Sequence, residues 1–268
     1  MRWRAMTLIV ALVWGPGVLV SADSRASGGL VFHEERKVYP IYAPLDEGEV
    51  DLAIAAGAGD AALVKQGFRL IETVFKSWLE GLDEPRNPSS QEVEEIVGEV
   101  ERRLMARYRG LREMGLEVDA SLLLATVTGD GEPRLYVFDS RGLAEPVHEN
   151  PGYALLGRGV VTGGLLLLRL LDYRPPRAWD WDLGLLSAFI IDVVSEVDPS
   201  VSPFLGESYF IRYENGRVTL GPLKEEAYAE YKDKTAKRKE LFKLLWTAAE
   251  EVGEEEVEKI LREALTSV

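Results

Sequence analysis

The stretch Thr7-Leu-Ile-Val-Ala-Leu-Val-Trp14-Gly15-Pro16-Gly17-Val-Leu-Val-Ser-Ala-Asp23 decides how the rest of the chain is read. Behind Met-Arg-Trp-Arg it imitates a secretory signal, with a basic start, an apolar middle and small residues at Val20-Ser21-Ala22. The same letters also describe strand, tight turn, strand. Gly15-Pro16-Gly17 splits the run into Thr7 to Trp14 and Val18 to Ala22, and the β-branched residues Thr7, Ile9, Val10, Val13, Val18 and Val20 favour extended backbone. Under the first reading the stretch is discarded. Under the second it opens a sheet, and the remaining sequence has to choose.

Working outward, the whole chain has 268 residues, with 31 Lys and Arg against 45 Asp and Glu for a net charge of −14, no cysteine and two histidines. Its 46% apolar and 28% charged residues are the balance of a globular protein with a real core. Absence of cysteine excludes disulfides, a thiol nucleophile and Cys-ligated zinc, and His33 and His148 stand apart in polar segments that read as solvent-facing loops. No metal or other cofactor is called for. The negative charge argues against nucleic acid and anionic membrane surfaces as partners, which need cationic faces. No later segment reaches the ~18 to 20 uninterrupted apolar residues of a membrane helix, so peptides, proteins and small molecules remain.

After the opening pair, Lys37 to Ile41 and Asp51 to Ala56 read as strands, and apolar spacing from Leu63 to Trp78 predicts a helix over about 60 to 82 with Asp60 as its cap. Val93, Ile96, Val97, Val100, Leu104 and Tyr108 predict a second helix to about Met114; Ser90, followed three residues on by Val93, does not make a full capping box. A hairpin follows around Gly129-Asp-Gly131, then a strand at Tyr153 to Leu156, helices at about 160 to 171 and 183 to 196, and a hairpin over 209 to 220 turning at Glu214-Asn-Gly216. Strand blocks alternating with helix pairs predict two stacked antiparallel sheets with helices outside, an α+β architecture. From residue 223 a Lys-rich helix and an acidic stretch form a helical extension over 223 to 268.

Two segments invite other chemistry. Gly157-x-Gly159-x-x-x-Gly163 with Asp180 imitates a dinucleotide fingerprint, but its spacing is one residue too long and no first βαβ unit surrounds it. Trp179-Asp180-Trp181-Asp182 after Pro175-Pro176 reads as a packed loop and helix cap in preference to an acid pair. Thr7, Asp23, Arg25, Lys37 and Gly57 make a stronger set. A threonine at a chain terminus can act as a nucleophile because its own α-amine, with a pKa of about 7.7 to 8.0, can take the hydroxyl proton. A lysine beside the hydroxyl lowers its effective pKa, a carboxylate orients the lysine, and a glycine N–H can receive an oxyanion.

This constellation resembles the proteasome β-subunit and HslV group of N-terminal nucleophile hydrolases. Residues 7 to 25 resemble that group's opening hairpin and its Asp-Ser-Arg, Lys37-Val-Tyr-Pro-Ile its lysine segment, and Ala55-Ala-Gly57-Ala-Gly59-Asp60-Ala its Ala-Gly-x-x-Gly-Asp-Ala, one residue short. Gly157-Arg158-Gly159 stands where the family has Gly-Ser-Gly, and Asp198-Pro-Ser200-Val-Ser202 where it has Asp-x-x-Ser/Thr-Gly-Gly. The resemblance implies a four-layer αββα sandwich over residues 7 to 222 and a cytoplasmic peptidase forming an acyl-threonine intermediate. It implies Thr7 as nucleophile and, through its freed amine, base; Lys37 as the cation; Asp23 as its partner; Gly57 as oxyanion donor; Arg25, Asp198 and Ser202 as support. Residues 1 to 6 are then a leader, or lie upstream of a true start at Met6. The expected partners are a peptide or unfolded protein substrate and other copies of the chain in a homo-oligomer, with the extension packed across a subunit boundary, gating access, or folded back on its own subunit. Two alternatives share the fold: a non-catalytic assembly or peptide-binding protein, and a transpeptidase that resolves the same intermediate with an amine.

Overall fold

In a computed structural model the described residues are 7–24, 36–45, 48–160, 162–175 and 180–266. Thr7 leads into β1 (Leu8–Trp14), which turns through Pro16 into β2 (Gly17–Asp23) with Ile9 opposite Ala22 and Val13 opposite Val18. The opening stretch is therefore a hairpin. Its two strands read as one apolar run because both faces are covered: Leu8, Val10 and Leu12 pack toward one side and Ile9, Ala11 and Val13 toward the other. Strands buried on both faces lose the polar alternation that marks a half-exposed strand.

β3 (Val38–Pro44) and β4 (Glu49–Gly59) follow, then α1 (Ala61–Glu80) and α2 (Ser90–Glu113), then β5 (Ala120–Val127), β6 (Pro133–Phe138), β7 (Ala144–Pro146) and β8 (Tyr153–Gly157). A 3₁₀ turn at Arg158–Val160 leads to α3 (Gly164–Leu170), α4 (Leu183–Val197), β9 (Leu205–Glu214) and β10 (Arg217–Pro222). All pairings are antiparallel. One sheet has the order β10-β9-β2-β1-β8 and the other β3-β4-β5-β6-β7.

Three apolar layers bind four structural ones. Phe68, Ile71 and Phe75 of α1 and Val93, Val100 and Leu104 of α2 pack on Leu52, Leu122 and Leu124. Ile9, Val20, Ile54, Leu123, Ala125 and Ile211 fill the space between the sheets. Leu8, Val10, Leu12 and Leu19 meet Leu168, Leu186, Ile190 and Val194 of α3 and α4. Each fully buried Leu, Ile or Val contributes on the order of 1.5 to 3 kcal/mol. These are the expected helix, sheet, sheet and helix layers, stacked in that sense.

Several local expectations shift. The predicted helix over 160 to 171 is broken: Gly163 has φ +147°, which a side-chain-bearing residue rarely adopts, and a regular helix begins only at Gly164. The cap of α2 is Ser89 and not Ser90, and it forms the full capping box with Glu92. His148 is not a solvent-facing loop residue. Its ring lies 5.3 Å from that of Tyr136, Nδ1 is 3.2 Å from the Leu135 carbonyl and Nε2 is 3.0 Å from Arg134. Asp182 caps α4 through the Leu185 N–H, and Trp181 stacks edge-on against Tyr173. His33 and Trp179 lie outside the described residues.

The chain divides into two compact units, up to Lys224 and from Glu225. The second unit consists of α5 (Glu225–Val252) and α6 (Glu254–Thr266), joined at Gly253 with φ +93°. Among the described residues no helix is long and apolar enough to cross a membrane.

Candidate active site

The ends of β1 and β2 bring Thr7 and Asp23 together, as the register of a two-residue turn requires. Thr7, 2% exposed, donates its Oγ1 hydrogen to Asp23 Oδ1 at 2.8 Å, and the Leu8 N–H donates to the same oxygen at 2.9 Å. Lys37, just before β3 in the other sheet, donates from Nζ to Asp23 Oδ1 at 2.6 Å and to the Asp23 backbone carbonyl at 3.0 Å. The Asp23 side chain is fully buried and that of Lys37 is 11% exposed. Burying an ion pair is favourable only when further hydrogen bonds satisfy its atoms. Here the second oxygen, Oδ2, accepts the Ser202 N–H at 3.0 Å, and the hydroxyls of Ser202 and Ser24 lie 2.7 Å apart.

An irregularity in the sheet sets this geometry. β2 pairs with β9 as Ser21 opposite Ser208, then as Asp23 opposite Leu205, so Gly206 and Glu207 together oppose Ala22. Bulges of this kind re-aim side chains at strand ends. The extra length carries Glu207 to β3, where its Oε2 accepts the backbone N–H of Lys37 at 2.9 Å and of Val38 at 3.0 Å. Glu207 thus grips the backbone of the residue whose ammonium meets Asp23. Nothing local in the sequence marks it, since the contact spans 170 positions.

Gly57 lies on β4 beside Lys37, and its N–H donates to the Lys37 carbonyl at 3.2 Å. A Cβ there would stand 2.6 Å from Val64 Cγ1 and 3.0 Å from Leu122 Cδ2, so close packing of α1 on the sheet already demands glycine. Asp198 caps the end of α4. It accepts from the Ser200 N–H at 2.9 Å, from the Ser200 hydroxyl and from the Thr162 hydroxyl at 3.1 Å. Burial pushes the Asp198 carboxyl up, but the Ser200 and Thr162 hydrogen bonds and the nearby Arg158 charge outweigh it and hold the pKa below the ordinary value. Thr7, Asp23, Lys37 and Ser202 are therefore linked by direct hydrogen bonds, Gly57 joins through the Lys37 backbone, and Asp198 holds the turn that delivers Ser202. Arg25 lies outside the described residues.

Chemically, the arrangement offers the secondary hydroxyl of Thr7 with one cation, one carboxylate and several backbone donors around it, the set an oxygen nucleophile uses. No protein-family model matches the chain, and no curated protein matches it. Among solved structures, Anbu from Hyphomicrobium sp. strain MC1, in a Gly-1 mutant, superimposes with a TM-score of 0.66 over 91% of this chain and 100% of its own, at 17% sequence identity. That likeness shows the fold alone, and the fold is the proteasome-like four-layer αββα sandwich.

Proposed function

We propose that the chain is an N-terminal threonine amide hydrolase, a proteasome-like peptidase with a peptide or unfolded protein as substrate. The observation that carries this reading is the continuous buried path from the Thr7 hydroxyl through the Asp23 carboxylate to the Lys37 ammonium. Removal of the residues before Thr7 frees its α-amine. The Thr7 oxygen then attacks the substrate carbonyl carbon while its proton passes to that amine, directly or through water. Lys37 stabilises the developing alkoxide, and Asp23 fixes Lys37. The tetrahedral oxyanion takes the Gly57 N–H, which must share its bond to the Lys37 carbonyl. Collapse expels the substrate amine, which takes the proton from the Thr7 ammonium, and water resolves the acyl-threonine ester.

The test is N-terminal sequencing of natively produced protein, followed by treatment with a threonine-directed epoxyketone and peptide mass mapping. An adduct on the peptide that starts at Thr7 supports the reading. A mature chain that begins at Met1, or no adduct on a chain that begins at Thr7, defeats it. A non-catalytic assembly or peptide-binding role is the second reading, favoured by the engagement of the Gly57 N–H with Lys37 and by Arg158 in place of a small hydroxyl residue. Products formed from a peptide library with and without a competing amine separate hydrolysis from transpeptidation.

A further inference from the structure

Two strand ends leave the first sheet together beside the nucleophile. Leu8 opens β1 opposite Gly157, the last residue of β8, so Thr7 and Arg158 stand level with each other just beyond the same end of the sheet. Glycines fix the Arg158 backbone there from both sides. A Cβ on Gly157, which has φ +96°, would lie 2.0 Å from the Thr7 carbonyl oxygen, and one on Gly159 would lie 3.0 Å from Leu8 Cβ. Because β1 lies between β2 and β8, Arg158 flanks Thr7 on the side opposite Asp23.

The charges around Thr7 differ in what they present to a ligand. Asp23 is fully buried, and Lys37, 11% exposed, is committed to it through two hydrogen bonds. Asp198 is buried as well, with its carboxylate taken up by Ser200 and Thr162. Arg158 is exposed, and among the described residues its guanidinium has no hydrogen-bond or ion-pair partner, although its charge reaches Asp198. The charge open to a substrate beside Thr7 is therefore positive, and a guanidinium offers a carboxylate two parallel donors. The next step rests on the hydrolase reading. There the leaving amine takes its proton from the Thr7 ammonium, so the leaving half of the substrate departs past the N-terminal end of Thr7, the end that Arg158 flanks. We infer that Arg158 is a specificity-determining residue, selecting substrates with Glu or Asp directly after the scissile bond and repelling those with Lys or Arg there.

The test takes the chain beginning at Thr7 and a peptide that it cleaves from a mixed library, remade with Glu, Gln or Lys directly after the cleaved bond. Circular dichroism confirms that each variant folds. The parent should cleave the Glu peptide with kcat/KM about fivefold above the Gln peptide, the ratio an exposed ion pair supports, and the Lys peptide should be slowest. The Glu preference should fade as salt is raised toward about 1 M. Arg158→Lys should keep the order, Arg158→Gln should bring Glu and Gln level, and Arg158→Glu should place Lys first. Equal cleavage of the Glu and Gln peptides by the parent, or an order that Arg158→Glu leaves unchanged, overturns the inference while the hydrolase reading stands. No cleavage of any peptide overturns the inference, and if Thr7 also takes no epoxyketone, the hydrolase reading falls with it.

Discussion

Lys37 reaches Asp23 twice, with Nζ 2.6 Å from Oδ1 and 3.0 Å from the backbone carbonyl. One residue ends a strand of the first sheet and the other precedes a strand of the second, so the pair clamps the two sheets together where Thr7 stands. Removing one partner of a buried ion pair costs about 3 to 5 kcal/mol, because the other is left charged and unpaired. Asp23→Asn and Lys37→Met should each lose stability of that order in urea unfolding, and the double variant should lose less than the sum. All three should fail to take an epoxyketone at Thr7. An Asp23→Asn protein as stable as the parent would show that the clamp has no energetic weight.

Glu207 holds the Lys37 and Val38 N–H groups with a single carboxylate oxygen. Glu207→Ala strands both donors, at a cost of roughly 1 to 3 kcal/mol. Glu207→Gln keeps an accepting oxygen and should fall between. If Lys37 depends on this grip, the rate of Thr7 labelling drops in the same order, Glu207→Ala lowest. Equal rates in all three proteins would confine Glu207 to fold stability.

Gly57 leaves no room for a side chain against Val64. Gly57→Ala should destabilise by roughly 1 to 3 kcal/mol through overpacking. Val64→Ala should be costly by itself yet relieve part of the damage when combined, a favourable coupling that a double-mutant cycle measures. Strict additivity would place the strain elsewhere.

The Asp198 carboxyl is held below its ordinary pKa by the Ser200 and Thr162 hydrogen bonds, which outweigh its burial. A carboxylate with a depressed folded-state pKa contributes stability that is complete above the unfolded value and is lost as pH falls through the folded one. The deficit of Asp198→Asn relative to the parent should therefore be largest at neutral pH and shrink as pH falls through and below the ordinary carboxylate range. A deficit that does not vary with pH would mean that shape, and not charge, is what the site requires.

Much of the layering could be read from residue spacing. The α1 stripe from Val64 to Leu79 and the α2 stripe from Val93 to Leu111 are spaced as helix faces, and Gly129-Asp130-Gly131 and Asn215-Gly216 mark their hairpins by turn chemistry alone. Harder were the segments whose conformation is imposed from a distance. β9 begins at Leu205, four residues before any alternating pattern, because β2 supplies its ladder. The break before α3 depends on two adjacent glycines inside an apolar run that otherwise has helical spacing. At the site, Thr7, Asp23 and Lys37 stand out as a set only because their spacing resembles that of the proteasome group; each alone, beside or at the end of a strand, carries no signal. Glu207 and Thr162 were not legible, because a lone Glu or Thr has no pattern and acts only through residues far along the chain.

β1 is paired on both sides, by β2 and β8, and covered on both faces. Its amides, from Ile9 to Leu12, have no route to solvent that leaves the domain standing, and they should be among the slowest to exchange with deuterium. Thr7 is one peptide bond from that segment. Whatever the hydroxyl does, it does one residue from a strand paired on both edges and buried on both faces, and loss of its chemistry on heating should coincide with loss of the domain itself, with no earlier inactivation to separate the two curves.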